Sequence, residues 1–308
     1  MRAAALAIAL LALLPATSTA KGVIVFVRGG DLYRSDSNGR HVERLTRGGD
    51  FRRPSLSARG RRLAFLRTER GRAFTARLTK RGLRSIRRID SAPDGPRDAT
   101  QFDVAMSRDG RLVAWTELRI NVVFSTIDYR RYMASASGAN PRQVAASGGR
   151  PFVAFFDATR IVREGLTDEF GSRPDTQTVD QGICVPDPES EQNGTCGDKG
   201  PQVAFDPAGR HLRHPAISPN GRLAVATAYA GGEEIDNAVD GEGAIVLFGV
   251  GTALPVRELT AGPADAYPSF SPDSRSVVFE RAGRVRVVRV GGGRARSVVR
   301  GTQPTWGA

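Results

Sequence analysis

The stretch Pro268-Ser269-Phe270-Ser271-Pro272-Asp273-Ser274-Arg275-Ser276-Val277-Val278-Phe279 decides how this chain reads. A short apolar strand ends in Ser, a Pro-Asp turn follows, and a second apolar strand leads away. Pro presets φ for a turn, and Asp or Asn followed by Gly or Ser completes the reversal. The unit is therefore a β-hairpin. It recurs as Pro54-Ser55-Leu56-Ser57 through Phe65, as Val104-Ala105-Met106-Ser107 through Trp115, and as Pro215-Ala216-Ile217-Ser218 through Val225. A degenerate copy starts at Pro151, and Pro304-Thr305-Trp306 is a truncated one.

These anchors fall at 54, 104, 151, 215, 268 and 304, most of them about 50 residues apart. Such a period, with two to four strands per unit, is the signature of a β-propeller. After Trp306 only two residues remain, so the last unit holds a first strand and nothing more. The other end supplies the rest: Val23 to Arg28, Asp31 to Asp36 and His41 to Thr46 read as three strands with Gly29-Gly30 and Asn38-Gly39 turns between them. A propeller that shares one blade between its termini leaves no open edge. The expected fold is all-β, a six-bladed β-propeller over residues 21–308 closed by strands from both termini.

The residues also carry a family resemblance. Gly30-Asp31-Leu32-Tyr33-Arg34-Ser35-Asp36-Ser37-Asn38-Gly39, then Arg44-Leu45-Thr46 and Pro54-Ser55-Leu56-Ser57, resembles the repeat of TolB-like β-propellers. Glu258-Leu259-Thr260 with Tyr267-Pro268-Ser269-Phe270-Ser271-Pro272-Asp273 is similar to it again. The resemblance spans about residues 22–308 and implies a propeller. TolB proteins carry an N-terminal α/β domain ahead of it, whereas here blade strands begin at once, and the resemblance carries over no functional residue.

Ahead of the strands, Met1-Arg2 is followed by an apolar run from Ala3 to Leu14 and by small residues to Ala20. That run is short for a membrane span, which needs about 20 apolar residues. A charged start, short apolar core and small-residue exit read as a signal peptide over residues 1–20, cut after Ala20. The expected mature chain is secreted or periplasmic, monomeric and without a transmembrane span. In an oxidising compartment, Cys184 and Cys196 are expected to form a disulfide within an insertion at 166–200, worth roughly 3 kcal/mol by loop closure.

Catalytic motifs are scarce. The chain has no H-E-x-x-H, no phosphate-cradling G-x-x-x-x-G-K and no G-x-S-x-G elbow. No cofactor, metal site or catalytic residue is assigned. The Ser residues ending the inner strands read as turn chemistry rather than as nucleophiles.

Geometry singles out another set. The inner strand of each blade lines the central channel, so the residue before each anchor should ring one mouth: Arg53, Asp103, Arg150, His214, Tyr267 and Gln303. Such a ring is either a wet channel rim or a ligand-binding rim, with the two Arg as anchors for a carboxylate or other anion. The insertion 166–200 and the stretch 230–243 should emerge on that face, where loops on a rigid scaffold serve binding. Glu233, Glu234, Asp236, Asp240 and Glu242 fall in the second without a basic neighbour, as a solvated acidic loop or a cation site.

The formal charge is +13, from 45 Lys and Arg against 32 Asp and Glu. Residues 51–90 alone hold thirteen Arg and Lys80 against Glu69 and Asp90, a net +12. An outer surface coated with Arg, or docking to an anionic envelope polymer or lipid, accounts for that excess. Nucleic acid is not an expected partner for an exported chain without interleaved aromatics. Two functions follow from these readings. One is a non-enzymatic module binding a protein, peptide or anionic cell-envelope ligand through the rim and long loops. The alternative is a propeller-fold lyase or hydrolase acting on anionic glycans or peptides.

Overall fold

A computed structural model describes residues 22–91, 99–121, 126–145, 153–155, 161–164, 182–184, 202–205, 211–229, 243–250, 257–262 and 264–308. The expected signal peptide, Arg150, Cys196 and most of both long loops lie outside them, and the proposed disulfide with Cys196; within the expected insertion 166–200, Gly182–Cys184 is described as a strand. Among the described residues, no helix is long and apolar enough to cross a membrane.

The first sheet takes β1 (Val23–Arg28), β2 (Asp31–Asp36) and β3 (Glu43–Arg44). The second is β4 (Phe51–Leu56), β5 (Arg62–Arg67), β6 (Arg72–Thr79) and β7 (Gly82–Arg88), and the third β8 (Thr100–Met106), β9 (Leu112–Asn121), β10 (Thr126–Ser135) and β11 (Arg142–Ala145). Then come β12 (Val153–Phe155), β13 (Ile161–Glu164), β14 (Gly182–Cys184) and β15 (Gln202–Phe205). Next are β16 (His211–Ile217), β17 (Leu223–Tyr229), β18 (Ala244–Gly249) and β19 (Arg257–Glu258). The chain ends with β20 (Asp265–Phe270), β21 (Ser276–Arg281), β22 (Arg284–Arg289), β23 (Arg296–Arg300) and β24 (Thr302–Gly307).

Neighbouring strands pair antiparallel, and β24 closes the circle by pairing with β1, Val23 opposite Gly307 and Ile24 opposite Trp306. The expectation of a six-bladed propeller is corrected: the blades number five. Five full blades, with inner strands of six or seven residues, stand around the axis, and β12–β15 is a reduced four-stranded sheet of three- and four-residue strands. The physical reason is local: the copy at Pro151 lacks the turn of Ser, two residues and then Gly or Ser that follows the inner strand at Ser57, Ser107, Ser218 and Ser271. The third strand expected over His41 to Thr46 is likewise only β3.

The apolar runs are continuous because both faces of each sheet are covered. In β1, Ile24 and Phe26 pack with Val278, Val285 and Trp306 of one neighbouring blade or the shared sheet, while Val25 and Val27 pack with Leu56, Leu63 and Phe65 of the other. Period-two alternation then sorts residues between two interfaces rather than between core and solvent. All four of these side chains are buried, each worth about 1.5–3 kcal/mol against exposure.

The hairpin turn is one repeated device. Ser107, Ser218 and Ser271 each donate Oγ–H to the carboxylate or amide oxygen two residues on, Asp109 (2.8 Å), Asn220 (2.7 Å) and Asp273 (2.6 Å). Those oxygens accept the N–H of Arg111, Arg222 and Arg275. The same Ser Oγ accepts the N–H of Leu112, Leu223 and Ser276. These hydroxyls are thus fully engaged in the turn. Hydroxyls also stitch the inner strands together across blades. Ser55 Oγ accepts the N–H of Met106 at 3.0 Å, Thr305 Oγ1 that of Leu56 at 3.1 Å, and Ser269 Oγ that of Trp306 at 3.3 Å.

Candidate functional site

Four inner strands carry a bulge at the same place. The register shifts between Arg52 and Ser55, Arg213 and Ala216, Ala266 and Ser269, and where β24 passes Val25 to Val27 of β1. Each bulge contains a Pro, which has no N–H to give the ladder. The residue before it, Arg53, His214, Tyr267 or Gln303, has φ of 52°, 52°, 53° and 48°. Left-handed backbone of this kind is costly for a residue with Cβ. These residues lie inside the inner strands, turned by the bulge. In β8 the following residue is Val104 instead of Pro, the shift lies earlier, between Gln101 and Asp103, and Asp103 is not left-handed.

Five of the six expected rim residues line one axial cavity of about 190 Å³: Arg53, Asp103, His214, Tyr267 and Gln303. Arg150 lies outside the described residues. A relay runs around the mouth from blade to blade. Gln303 N–H donates to Glu280 Oε2 at 2.9 Å, Arg53 N–H donates to Gln303 Oε1 at 2.7 Å, and Arg53 Nε stands 3.9 Å from Asp103 Oδ1. Asp103 Oδ2 accepts the N–H of Val153 at 2.9 Å, which carries the relay to β12. Across the mouth, the Arg53 guanidinium lies over the Tyr267 ring, 4.7 Å from its centroid, and the His214 and Tyr267 rings approach to 4.0 Å.

Burial sets the protonation states. Desolvation raises the Asp103 pKa above its ordinary value, although Arg53, the N–H groups of Val153 and Val104, and Arg131 all pull it down. Desolvation lowers the His214 pKa well below its ordinary value, and Arg53 and Arg213 add to this, so the imidazole is neutral at neutral pH. A guanidinium with a cation–π partner, a neutral imidazole and a phenol thus share one small cavity. Such a set can hold an anion or carry proton transfer.

Sequence reading missed Glu280, at the outer end of β21, and Arg131, fully buried within β10. Nothing in the repeat pattern marks either. It also missed a second cavity of about 620 Å³ that shares Tyr267 and Gln303 with the first and adds Asp50, Glu69 and Glu280. Of the other histidines, His41 sits in an exposed turn, and only the backbone of His211 is described.

TolB from Acinetobacter baumannii has a solved structure that superposes on 92% of this chain with a TM-score of 0.65 and 16% identity. The fold is that of a TolB-like β-propeller. This chain spans 66% of that TolB chain. The TolB-like propeller also matches a chain in a nidogen/laminin complex, with a TM-score of 0.61, 10% identity, and coverage of 93% of this chain and 99% of that one. Against the acylaminoacyl peptidase of Pyrococcus horikoshii the TM-score is 0.50 at 12% identity, over 91% of this chain and 46% of the peptidase. No protein-family model matches the sequence, and no curated protein matches it significantly.

Proposed function

We propose that this propeller is an exported, monomeric, non-enzymatic binding module whose axial mouth takes an anionic group of a protein, peptide or envelope ligand. The observation that carries this reading is the convergence of Arg53, His214, Tyr267 and Gln303 on one cavity, all four in a backbone conformation that disfavours their side chains. Arg53 is the anchor, oriented by Asp103 and Tyr267, and neutral His214 leaves it the dominant charge facing the ligand. Crosslinking and pull-down from the native envelope fraction, with wild type beside Arg53→Ala and Tyr267→Ala, tests the reading. Capture of a partner by wild type and its loss from both variants is expected. Undiminished capture by both would overturn the rim as the site.

A second reading is retained on one observation: His214, Tyr267, Arg53 and Asp103 line the same cavity, as a lyase or hydrolase on anionic glycans or peptides requires. In it, neutral His214 is the base and Tyr267 the acid. Turnover of uronate-containing glycans or peptides that vanishes in both His214→Gln and Tyr267→Phe would establish it. Its absence from the wild type leaves the binding module.

A further inference from the structure

The two mouths of the channel differ in how their arginines are used. On the rim side, Arg44 pairs with Asp31, Arg67 with Asp50 at 2.9 Å, and Arg281 with the fully buried Asp265. At the opposite mouth, where the hairpin turns lie, one position of the repeat is Arg in every full blade whose turn is continuous in sequence: Arg61, Arg111, Arg222 and Arg275. All four are exposed. Lys80 and Arg81, exposed in the turn between β6 and β7, extend the same face.

The fold needs the backbone of these four residues and not their side chains. Their carbonyls accept the N–H of Leu78, Ala136, Val250 and Val290, tying the second strand of each blade to its third. In three of them the N–H closes the turn on Asp109, Asn220 or Asp273. Any non-proline residue does both jobs. The carboxylates on this face are exposed or half-buried but engaged: Asp109 and Asp273 serve their own turns, Asp109 Oδ2 also stands 3.7 Å from Arg111 Nε, Glu43 pairs with Arg34, and Asp36 Oδ1 accepts the N–H of Asn38 and Arg40. Because the four arginines occupy one repeat position, they stand at one level around the axis, on four of the six sheets.

The chain also enters the fold here. Val23 pairs with Gly307, and Ala308 N–H donates to Ala58 O of the neighbouring turn, so Gly22 leaves this face with Lys21 ahead of it. Cleavage after Ala20 would add an α-amino group at that point, and an uncut chain would add the apolar run Ala3 to Leu14.

We propose that the turn face docks on an anionic lipid surface through Arg61, Arg111, Arg222 and Arg275, leaving the rim directed away from the bilayer. Exposed cations at one level on four sheets match a planar array of headgroups, which attracts juxtamembrane cations and loses its hold within a Debye length. This face lies at the far end of the channel from the rim, so its failure would leave the rim reading untouched.

The test is co-sedimentation of the protein, expressed with its own leader, with vesicles of phosphatidylcholine alone and of phosphatidylcholine mixed with phosphatidylglycerol. Binding to the anionic vesicles only, abolished in molar salt, is expected. Replacing all four arginines by Gln should weaken it by more than about a hundredfold, at roughly fivefold per cation, while replacing all four by Lys keeps it. An unchanged thermal midpoint in both variants separates charge from folding. Equal binding to neutral vesicles, no binding to either, or binding to a soluble polyanion such as heparin but not to vesicles would each overturn the proposal.

Discussion

The two mouths of one channel solve the same backbone problem in opposite ways. At the turn mouth, the left-handed residues of the hairpin turns are Gly60, Gly110 and Gly221, which lack the Cβ that makes this conformation costly, and in the fourth turn the small Ser274. At the rim, the left-handed residues within the inner strands are Arg53, His214, Tyr267 and Gln303. L-residues lose roughly 1–2 kcal/mol each in that region. Folding alone would favour glycine or another small residue at both. Large polar and aromatic side chains at the rim therefore mark the end where chemistry, rather than chain reversal, selects the residue.

The charges follow the same division, and the largest expected effect breaks it. Asp265→Ala should cost about 3 kcal/mol, because it leaves Arg281 half-buried without its bidentate partner. Arg281 is pinned there further by its hydrogen bond to Asp265, which raises its pKa. Arg275→Ala, at the turn end of the same blade, should change stability by less than about 0.5 kcal/mol. Guanidinium unfolding of the two variants side by side measures this, and equal losses would erase the distinction between the mouths.

Next comes the closure itself. A Cβ on Gly60 would stand 1.9 Å from the backbone oxygen of Ala308, at a residue with φ of 65°. Gly60→Ala should therefore cost about 2 kcal/mol or more. Gly221 has φ of 73° but no atom within 4 Å of the added Cβ, so Gly221→Ala should show the conformational cost alone, about 1 kcal/mol. The difference in unfolding midpoints isolates how tightly the C-terminus seals this mouth. Two equal values would mean that it does not.

A finer comparison holds at the rim. Arg53→Gly and Arg53→Ala both remove the side chain, but only glycine relieves the left-handed strain. The glycine variant should be the more stable by about 1 kcal/mol, and both should fail to bind through the rim. If alanine proved the more stable, the backbone at Arg53 would not be strained, and side-chain retention there would need no functional explanation.

How much of this was legible in the sequence depended on repetition. The strands β4, β16 and β20 follow from their Pro-x-x-Ser units and turns, and β1, β2 and the shared closing sheet from the Gly29-Gly30 and Asn38-Gly39 turns and the truncated unit at Pro304, because a hairpin is a local object with local signals. The reduced sheet β12–β15 was over-read: a lone Pro151 without a turn motif has no means of fixing strand length. The rim was legible as positions, since every copy places one residue before its anchor. Its bulges were not, because a bulge is a property of how β4 pairs with β5, and neither strand announces it alone. Glu280 joined the site by tertiary approach to Gln303, 23 residues away, and no periodicity marks such a contact.

The smallest expected effect is the pH response of the rim, whose two perturbed groups oppose each other. The ordinary His214 value is 6.5, and the folded value lies well below it. Its contribution is therefore present above about pH 6.5 and is lost as the pH falls toward the folded value, since the unfolded chain takes up the proton first. Asp103 has a folded value raised above its ordinary 3.8. Its contribution runs the other way, present at low pH and lost as the pH rises through the folded value. Between about pH 7 and about pH 5, the wild type should lose stability through His214, and His214→Gln should lose less than wild type on acidification. The opposite contribution of Asp103 belongs to the range just above its ordinary 3.8. Denaturation midpoints at the two pH values check the His214 sign. Parallel curves for wild type and His214→Gln would mean that the imidazole is not buried at the mouth as its surroundings require, and the contrast with the solvent-facing turn mouth would fall with it.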